Sequence, residues 1–262
     1  MDNNLLPINS ILNRKYKVLD LIGQGGFGIT YLVEHIELHN KFAIKECFVK
    51  HWCTRDVKMV YAYDSDIDRF NEYKTKFINE AQTLAKFDHK NIVKVTDYFE
   101  ENNTAYFVME FIEGDSLRKI INRTDKTEED YAIKLILKLS EAVEFLHQRK
   151  ILHRDIKPDN IIIRADCEPV LLDFGAAREI AGTNVPHTII MTPGYAPIEQ
   201  SDPNSEKGFY IDIYSIGATL YHLVTGQIPV PAQQRVSEDK LIDPKIINPA
   251  ISEKVRNVIL KS

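Results

Sequence analysis

"ILHRDIKPDNIII", residues 151–163, sets two short β-branched runs around a loop that concentrates His153, Arg154, Asp155, Lys157, Asp159 and Asn160. A charged turn between strands is ordinarily only solvated. Here the flanking runs are apolar enough to be buried, so the loop is expected to lie in a cleft. In such a place Asp155 can accept or orient a proton, Lys157 can neutralise a phosphate, and Asn160 can offer a carbonyl oxygen to a hard cation.

The next apolar strand has the same design. "VLLDFGAAR", residues 170–178, delivers Asp173 to a strand end, followed by Phe174 and Gly175. A lone carboxylate there is normally a turn former. Asp173 together with Asn160 would instead supply oxygens to Mg²⁺, which takes few protein ligands beside phosphate oxygens and water.

Far upstream, "LIGQGGFGITYLV", residues 21–33, carries G-x-G-x-x-G at Gly23, Gly25 and Gly28. That spacing serves two unrelated phosphate-binding devices, a dinucleotide-binding turn that opens a helix and a flap between two strands. Ile29, Thr30, Tyr31, Leu32 and Val33 make a poor helix start and a good strand. The glycines therefore sit in a strand-turn-strand hairpin. Taken alone, these residues leave a plain hairpin open.

The rest of the chain frames these segments. Strands are expected at "YKVLDLI", "ITYLVEHIEL" and "KFAIKEC", then a helix over 67–87 with Phe70, Phe77, Ala81 and Leu84 at helical spacing. A strand pair follows, joined through Glu101-Asn102-Asn103. Beyond Gly114 the texture becomes helical. "DYAIKLILKLSEAVEFLHQR" places Ile133, Ile136, Leu139, Val143 and Leu146 on one side, and "DIYSIGATLYHLVTG" is apolar nearly all round, as a buried helix would be. Segregated strands and helices indicate an α+β fold in two lobes. Of 262 residues, 44% are hydrophobic and 27% charged, enough apolar side chains for a substantial core. A net charge of -5 argues against a broadly basic nucleic-acid-binding face. Cys47, Cys53 and Cys167 lack metal or disulfide spacing and read as reduced thiols. No apolar run is long enough to span a bilayer.

The glycine loop, Ala43-Ile44-Lys45, His153-Arg154-Asp155 with Asn160, and Asp173-Phe174-Gly175 occur in the order found in eukaryotic-type (Hanks-type) serine/threonine protein kinases, and the chain resembles that family over roughly residues 16–262. The resemblance implies a bilobal kinase fold, with an extension over 1–15, a β-rich N-lobe with one main helix over 16–110, and a hinge and helical C-lobe over 111–262. It implies ATP and Mg²⁺ as cofactors and serine or threonine hydroxyls of proteins as acceptors. Gly23, Gly25, Gly26, Phe27 and Gly28 would cap the phosphates. Lys45 would hold two of them and pair with Glu80, preferred over Glu72. Thr30, Ala43, Met109, Glu110, Ile112 and Ile162 would surround adenine. Asp155 would orient the attacking hydroxyl, Lys157 would steady the γ-phosphate, and Asn160 and Asp173 would hold the metal. Thr192 would contact Asp155 and Lys157, Asp212 would anchor the loop backbone, and Thr183 and Thr188 are candidate autophosphorylation sites, with Thr188 preferred. A cytoplasmic location is expected.

Three departures accompany the resemblance. Thr30 stands where a Val usually packs on adenine. The interval from Lys45 to Glu80 is long and carries the only Trp, Trp52, in a segment read either as a hairpin beside the helix or as a docking surface. The C-lobe is expected to be incomplete, leaving Glu199 of the Pro197-Ile198-Glu199 motif without its Arg partner and any membrane attachment to a missing region. The alternatives are a pseudokinase acting as a nucleotide-binding scaffold and a small-molecule phosphotransferase of related fold.

Overall fold

Residues 4–173, 178–179, 192–202 and 205–262 are described by a computed structural model. The chain divides into two compact units, one of residues 1–89 with 93–111, the other of residues 90–92 with 112–262.

The first unit is built on a six-stranded antiparallel sheet. Its strands are β1 (Ile11–Leu12), β2 (Tyr16–Gln24), β3 (Gly28–His35), β4 (Lys41–Cys47), then, after the hairpin β5 (Cys53–Asp56) and β6 (Met59–Ala62) and helix α1 (Ile67–Leu84), β7 (Val95–Glu101) and β8 (Thr104–Glu110). The order is β1-β2-β3-β4-β8-β7. The β7–β8 turn is the expected Asn pair, with φ of 54° at Asn102 and 61° at Asn103. Two consecutive left-handed residues match the twist of a tight hairpin, and Asn tolerates that conformation. Helix α1 buries Phe70, Phe77, Ala81 and Leu84, the stripe read from the sequence, and Phe77 meets Phe107 of β8 at 4.9 Å. It ends at Leu84, where Phe87 N–H bonds back to Leu84 O and the chain tightens out of helical register.

The segment between β4 and α1 forms a hairpin, and what fixes it is a buried ion pair. The Arg55 guanidinium donates to Glu46 Oε2 at 2.5 Å, with both side chains 0% exposed. Tyr106 Oη and Tyr31 Oη donate to the two Glu46 oxygens, at 2.7 and 3.2 Å. Arg55 also bonds the carbonyls of Asn4 and Lys58, each at 2.8 Å. Burial alone raises the Glu46 pKa, and the cation and three hydrogen bonds oppose it.

The second unit opens with β9 (Asp115–Ser116), α2 (Leu117–Thr124) and α3 (Glu129–His147). The short strands β10 (Ile151–Leu152), β11 (Ile161–Ile163), β12 (Pro169–Leu171) and β13 (Arg178–Glu179) follow. The helical turn α4 (Ile198–Ser201), helix α5 (Tyr210–Thr225), the turn α6 (Pro244–Ile247) and α7 (Glu253–Lys261) complete it. Strands β12-β11-β9 form one small sheet and β10-β13 another. The core lies between α3 and α5, with Leu135, Leu139, Val143, Leu220, Leu223 and Val224 buried together. The α3 face includes the expected Ile136, Leu139, Val143 and Leu146, with Ile133 half-buried at its edge, and extends to Ala132, Leu135 and Ala142. Helix α5 is buried nearly throughout, as its composition indicated, and ends at Gly226 with φ of 72°, where a Cβ would strike the Asp125 carbonyl. Ser252 caps α7 by accepting from Val255 N–H at 3.2 Å.

Among the described residues the cysteines are free, Cys47 and Cys53 buried and Cys167 exposed. Burial pushes the Cys53 thiol up to about 11 and raises Cys47 further, so both stay protonated and inert.

Candidate active site

In the second unit the loop after β10 is held by its backbone. Asp212, fully buried in the first turn of α5, accepts from His153 N–H at 2.9 Å and Arg154 N–H at 2.8 Å, and its Oδ2 also meets His147 Nε2 at 2.8 Å. These two backbone bonds are those expected of Asp212. They hold Arg154 at φ of 66°, a conformation an Arg does not adopt unforced. His153 is buried, bonds Leu172 O through Nε2 at 3.0 Å and accepts from Asp155 N–H at Nδ1, at 3.3 Å. Burial lowers its pKa, matching a neutral ring with one donor and one acceptor.

Asp155 is thereby aimed into a ring of donors. Lys157 Nζ meets its two oxygens at 2.9 and 2.7 Å, Thr192 Oγ1 donates to Oδ1 at 2.9 Å, and Asn160 Nδ2 donates to Oδ2 at 2.8 Å. Lys157 also reaches Thr192 Oγ1 at 2.8 Å, the contact expected of that threonine. Asn160 Nδ2 bonds the Asp155 carbonyl as well, at 2.8 Å, so its carbonyl oxygen is what remains to offer a cation. Asn160 O accepts from Leu172 N–H at 2.8 Å, which brings Asp173 alongside, at φ of 52°. The side chains of both residues carry the hard oxygens that Mg²⁺ takes beside phosphate and water. Among the described residues, no group of three or more His, Cys, Asp or Glu side chains could hold a metal alone. Ile112 is buried and Ile162 half-buried in β11; Phe174, Gly175, Thr183 and Thr188 lie outside the described residues.

The first unit carries the other half of the expected set. Gly23 and Gly28 border the β2–β3 turn, closed by Gly25 N–H to Gly28 O at 2.9 Å. A Cβ at Gly23 or Gly26 would meet nothing within 4 Å, so the bare backbone there faces open space. At Gly28 a Cβ would lie 2.9 Å from Glu46 O and 3.4 Å from Lys45 Cε, so only glycine lets the turn lie against the lysine stem. Lys45, buried to 8% exposure, pairs across the sheet with Thr30 and sets its Nζ 5.8 Å from the Phe107 ring centre. Phe107 is also the ring that Phe77 of α1 covers. Glu80 follows Phe77 by one turn on that same helix face, and its Oε1 is buried. Glu72, the rival, is half-exposed and bonded to Lys76 at 2.6 Å. Ala43 pairs with Met109 across β4 and β8, with Glu110 next along the strand.

The family profile for the protein kinase domain matches residues 16–258. The chain belongs to the protein kinase domain family. Among its relatives, serine/threonine-protein kinase PrkC of Bacillus subtilis is 32% identical over 97% of this chain and 38% of its own length. Serine/threonine-protein kinase PknB of Mycobacterium leprae is 33% identical over 96% of this chain and 40% of its own length. Thus the kinase domain spans about two fifths of these curated relatives. A solved structure, PpkA-294 in its apo form, superposes with a TM-score of 0.84 at 31% identity, covering 98% of this chain and 92% of that one. The kinase domain is of the bacterial Hanks type, with the α+β kinase fold the motifs implied. No helix among its described residues is long and apolar enough to cross a membrane.

Two clusters in the kinase domain were not anticipated. One is the Glu46–Arg55 pair described above. The other joins Arg118 to Asp159 at 2.9 Å and to Tyr195 Oη at 3.0 Å, while Tyr195 Oη lies 2.7 Å from His222 Nδ1. Asp159 was visible as a member of its loop, but Arg118 and His222 come from α2 and α5 with no local signal. Arg256 is engaged by Asp243 at 2.5 Å, so it is not the partner of Glu199.

The His222 cluster predicts acid sensitivity. Burial, then the Arg118 charge, lowers the His222 pKa to about 4, whereas an unfolded histidine protonates near the ordinary 6.5. Between those values the unfolded chain binds the extra proton, so stability is full above about pH 6.5 and falls as pH drops towards 4. The loss amounts to about 3 kcal/mol. Urea unfolding across this window should show a shallower decline for His222→Gln than for the wild type.

Proposed function

We propose that this domain transfers the γ-phosphate of ATP to serine or threonine hydroxyls of proteins. The observation that carries the reading is the Asp155 carboxylate held by Lys157, Thr192 and Asn160 on a loop whose backbone Asp212 fixes. Phosphoryl transfer demands positioning and charge neutralisation more than covalent chemistry. Asp155 orients the acceptor hydroxyl and takes its proton late. Lys157 steadies the γ-phosphate, and Lys45, kept in place with Glu80, holds the α- and β-phosphates. Asn160 and Asp173 are the residues to hold Mg²⁺, which supplies neutralisation of phosphate charge when bound. Gly23, Gly25, Gly26, Phe27 and Gly28 cover the phosphates; Thr30, Ala43, Met109, Glu110, Ile112 and Ile162 enclose adenine. Autophosphorylation at Thr188 or Thr183 and a cytoplasmic setting, where ATP is supplied, complete the reading.

The test is incubation with labelled ATP, Mg²⁺ and a generic protein substrate, beside a chelator control. Label in the protein that disappears with the chelator supports the assignment. Tight nucleotide binding with no transfer would identify a nucleotide-binding scaffold instead.

A further inference from the structure

The interval between Lys45 and Glu80 does more than lengthen the chain. Phe48 and Val49 are buried where it leaves β4, and Val60 N–H bonds Asn102 O at 2.9 Å. With Arg55 locked onto Glu46, the β5–β6 hairpin is a fixed part of the first unit. Trp52 stands at its base, with its N–H on Val49 O and its carbonyl accepting from Tyr63 N–H, both at 2.8 Å.

From that base the Trp52 ring reaches the tip of the glycine turn. Its centre lies 6.4 Å from Phe27 and 5.9 Å from Tyr73 of α1, both nearly edge-on, and Phe27 lies 5.8 Å from Tyr73. Arg69, one turn before Tyr73, sits 5.4 Å over the indole. Tyr73 Oη donates to the Phe27 carbonyl at 3.3 Å. Phe27 is flanked by Gly26 and Gly28, and a glycine turn left alone samples many conformations. Edge-on aromatic contacts and one hydrogen bond to the main chain select among them.

We propose that Trp52 and Tyr73 are positioning residues for the nucleotide: they pin the tip of the glycine turn, so the interval from Lys45 to Glu80 sets the affinity for ATP. This rests on the reading of that turn as the lid over the ATP phosphates. A turn held by these contacts loses less freedom when it closes on the nucleotide. Transfer itself, carried by residues of the second unit, is left largely untouched.

The experiment measures kcat and KM for ATP in the full chain. Trp52→Ala, which removes two ring contacts, is expected to raise KM about ten-fold with kcat within about two-fold, and Trp52→Phe to restore most of it. Tyr73→Phe, which keeps the ring and loses the hydrogen bond to the Phe27 carbonyl, should raise KM about three-fold. Because Trp52 is the only Trp, its emission in the unaltered chain should also change as a non-hydrolysable ATP analogue with Mg²⁺ is titrated, with a midpoint matching calorimetry. That measurement stands even if Trp52→Ala does not fold. Calorimetric binding with silent emission, or folded variants with unaltered KM, overturns the inference while leaving the kinase reading intact. No calorimetric binding to the unaltered chain overturns both.

Discussion

Asp155→Asn should lower phosphate transfer by about two to four orders of magnitude, the range attributed to a positioned general base. The side chains have nearly the same size, so the loop backbone, held from Asp212, should keep its path. The chemistry changes twice. The amide cannot take the hydroxyl proton, and it offers one acceptor oxygen where the carboxylate offered two. Lys157 and Thr192 share Oδ1, and Lys157 and Asn160 share Oδ2. An amide nitrogen at either place puts donor against donor, so Lys157 keeps one of its two contacts and the base is lost. The loss should therefore appear in kcat, with KM for ATP nearly unchanged. Transfer within ten-fold of wild type in a folded variant would remove Asp155 from its role.

The largest stability effect is expected from Arg55→Met, at about 3–5 kcal/mol. The substitution leaves the Glu46 carboxylate fully buried, with two tyrosine hydroxyls and no cation. Burial already raises the Glu46 pKa, and removal of Arg55 raises it further. A carboxyl whose folded pKa exceeds its unfolded value is most favourable below the unfolded value and loses that advantage as pH rises through the folded one. The variant should thus be least impaired in acid and most impaired at neutral pH. Glu46→Gln combined with Arg55→Met should recover much of the loss, because the amide can still bond both tyrosines without a buried charge. Urea unfolding of the three proteins at two pH values decides it; a single variant losing less than about 1 kcal/mol would show that water already reaches Glu46.

The contrast between these sites explains what could be read from the sequence. Asp155, Lys157 and Asn160 lie within one loop, so short-range spacing brings them together, and Thr192 and Asp212 meet that loop as the motifs implied. Glu80 is preferred over Glu72 because the Glu80-Ala81 context matches the family, and in the fold Glu80 shares a helix face with Phe77, Ala81 and Leu84. Arg55 was invisible for the opposite reason. Strand alternation places Cys53 and Arg55 on the inner face of β5, and an arginine in such a place reads as solvated unless its buried acid is known. The Phe27, Trp52 and Tyr73 cluster draws on three separate segments, and no local period reports their meeting. The greater width of the buried α3 face is of the same kind: alanines at 132 and 142 are weak apolar signals, and their burial depends on what packs against the helix.

Asp212 restrains its loop through the main-chain N–H groups of residues 153 and 154, not through their side chains. Every residue except proline supplies that group. What the helix imposes on the loop is a route for the chain, indifferent to the letters written along it. Side chains borne on that route can be exchanged to alter the chemistry without redrawing the scaffold, whereas a change at Asp212 would disturb all of them at once.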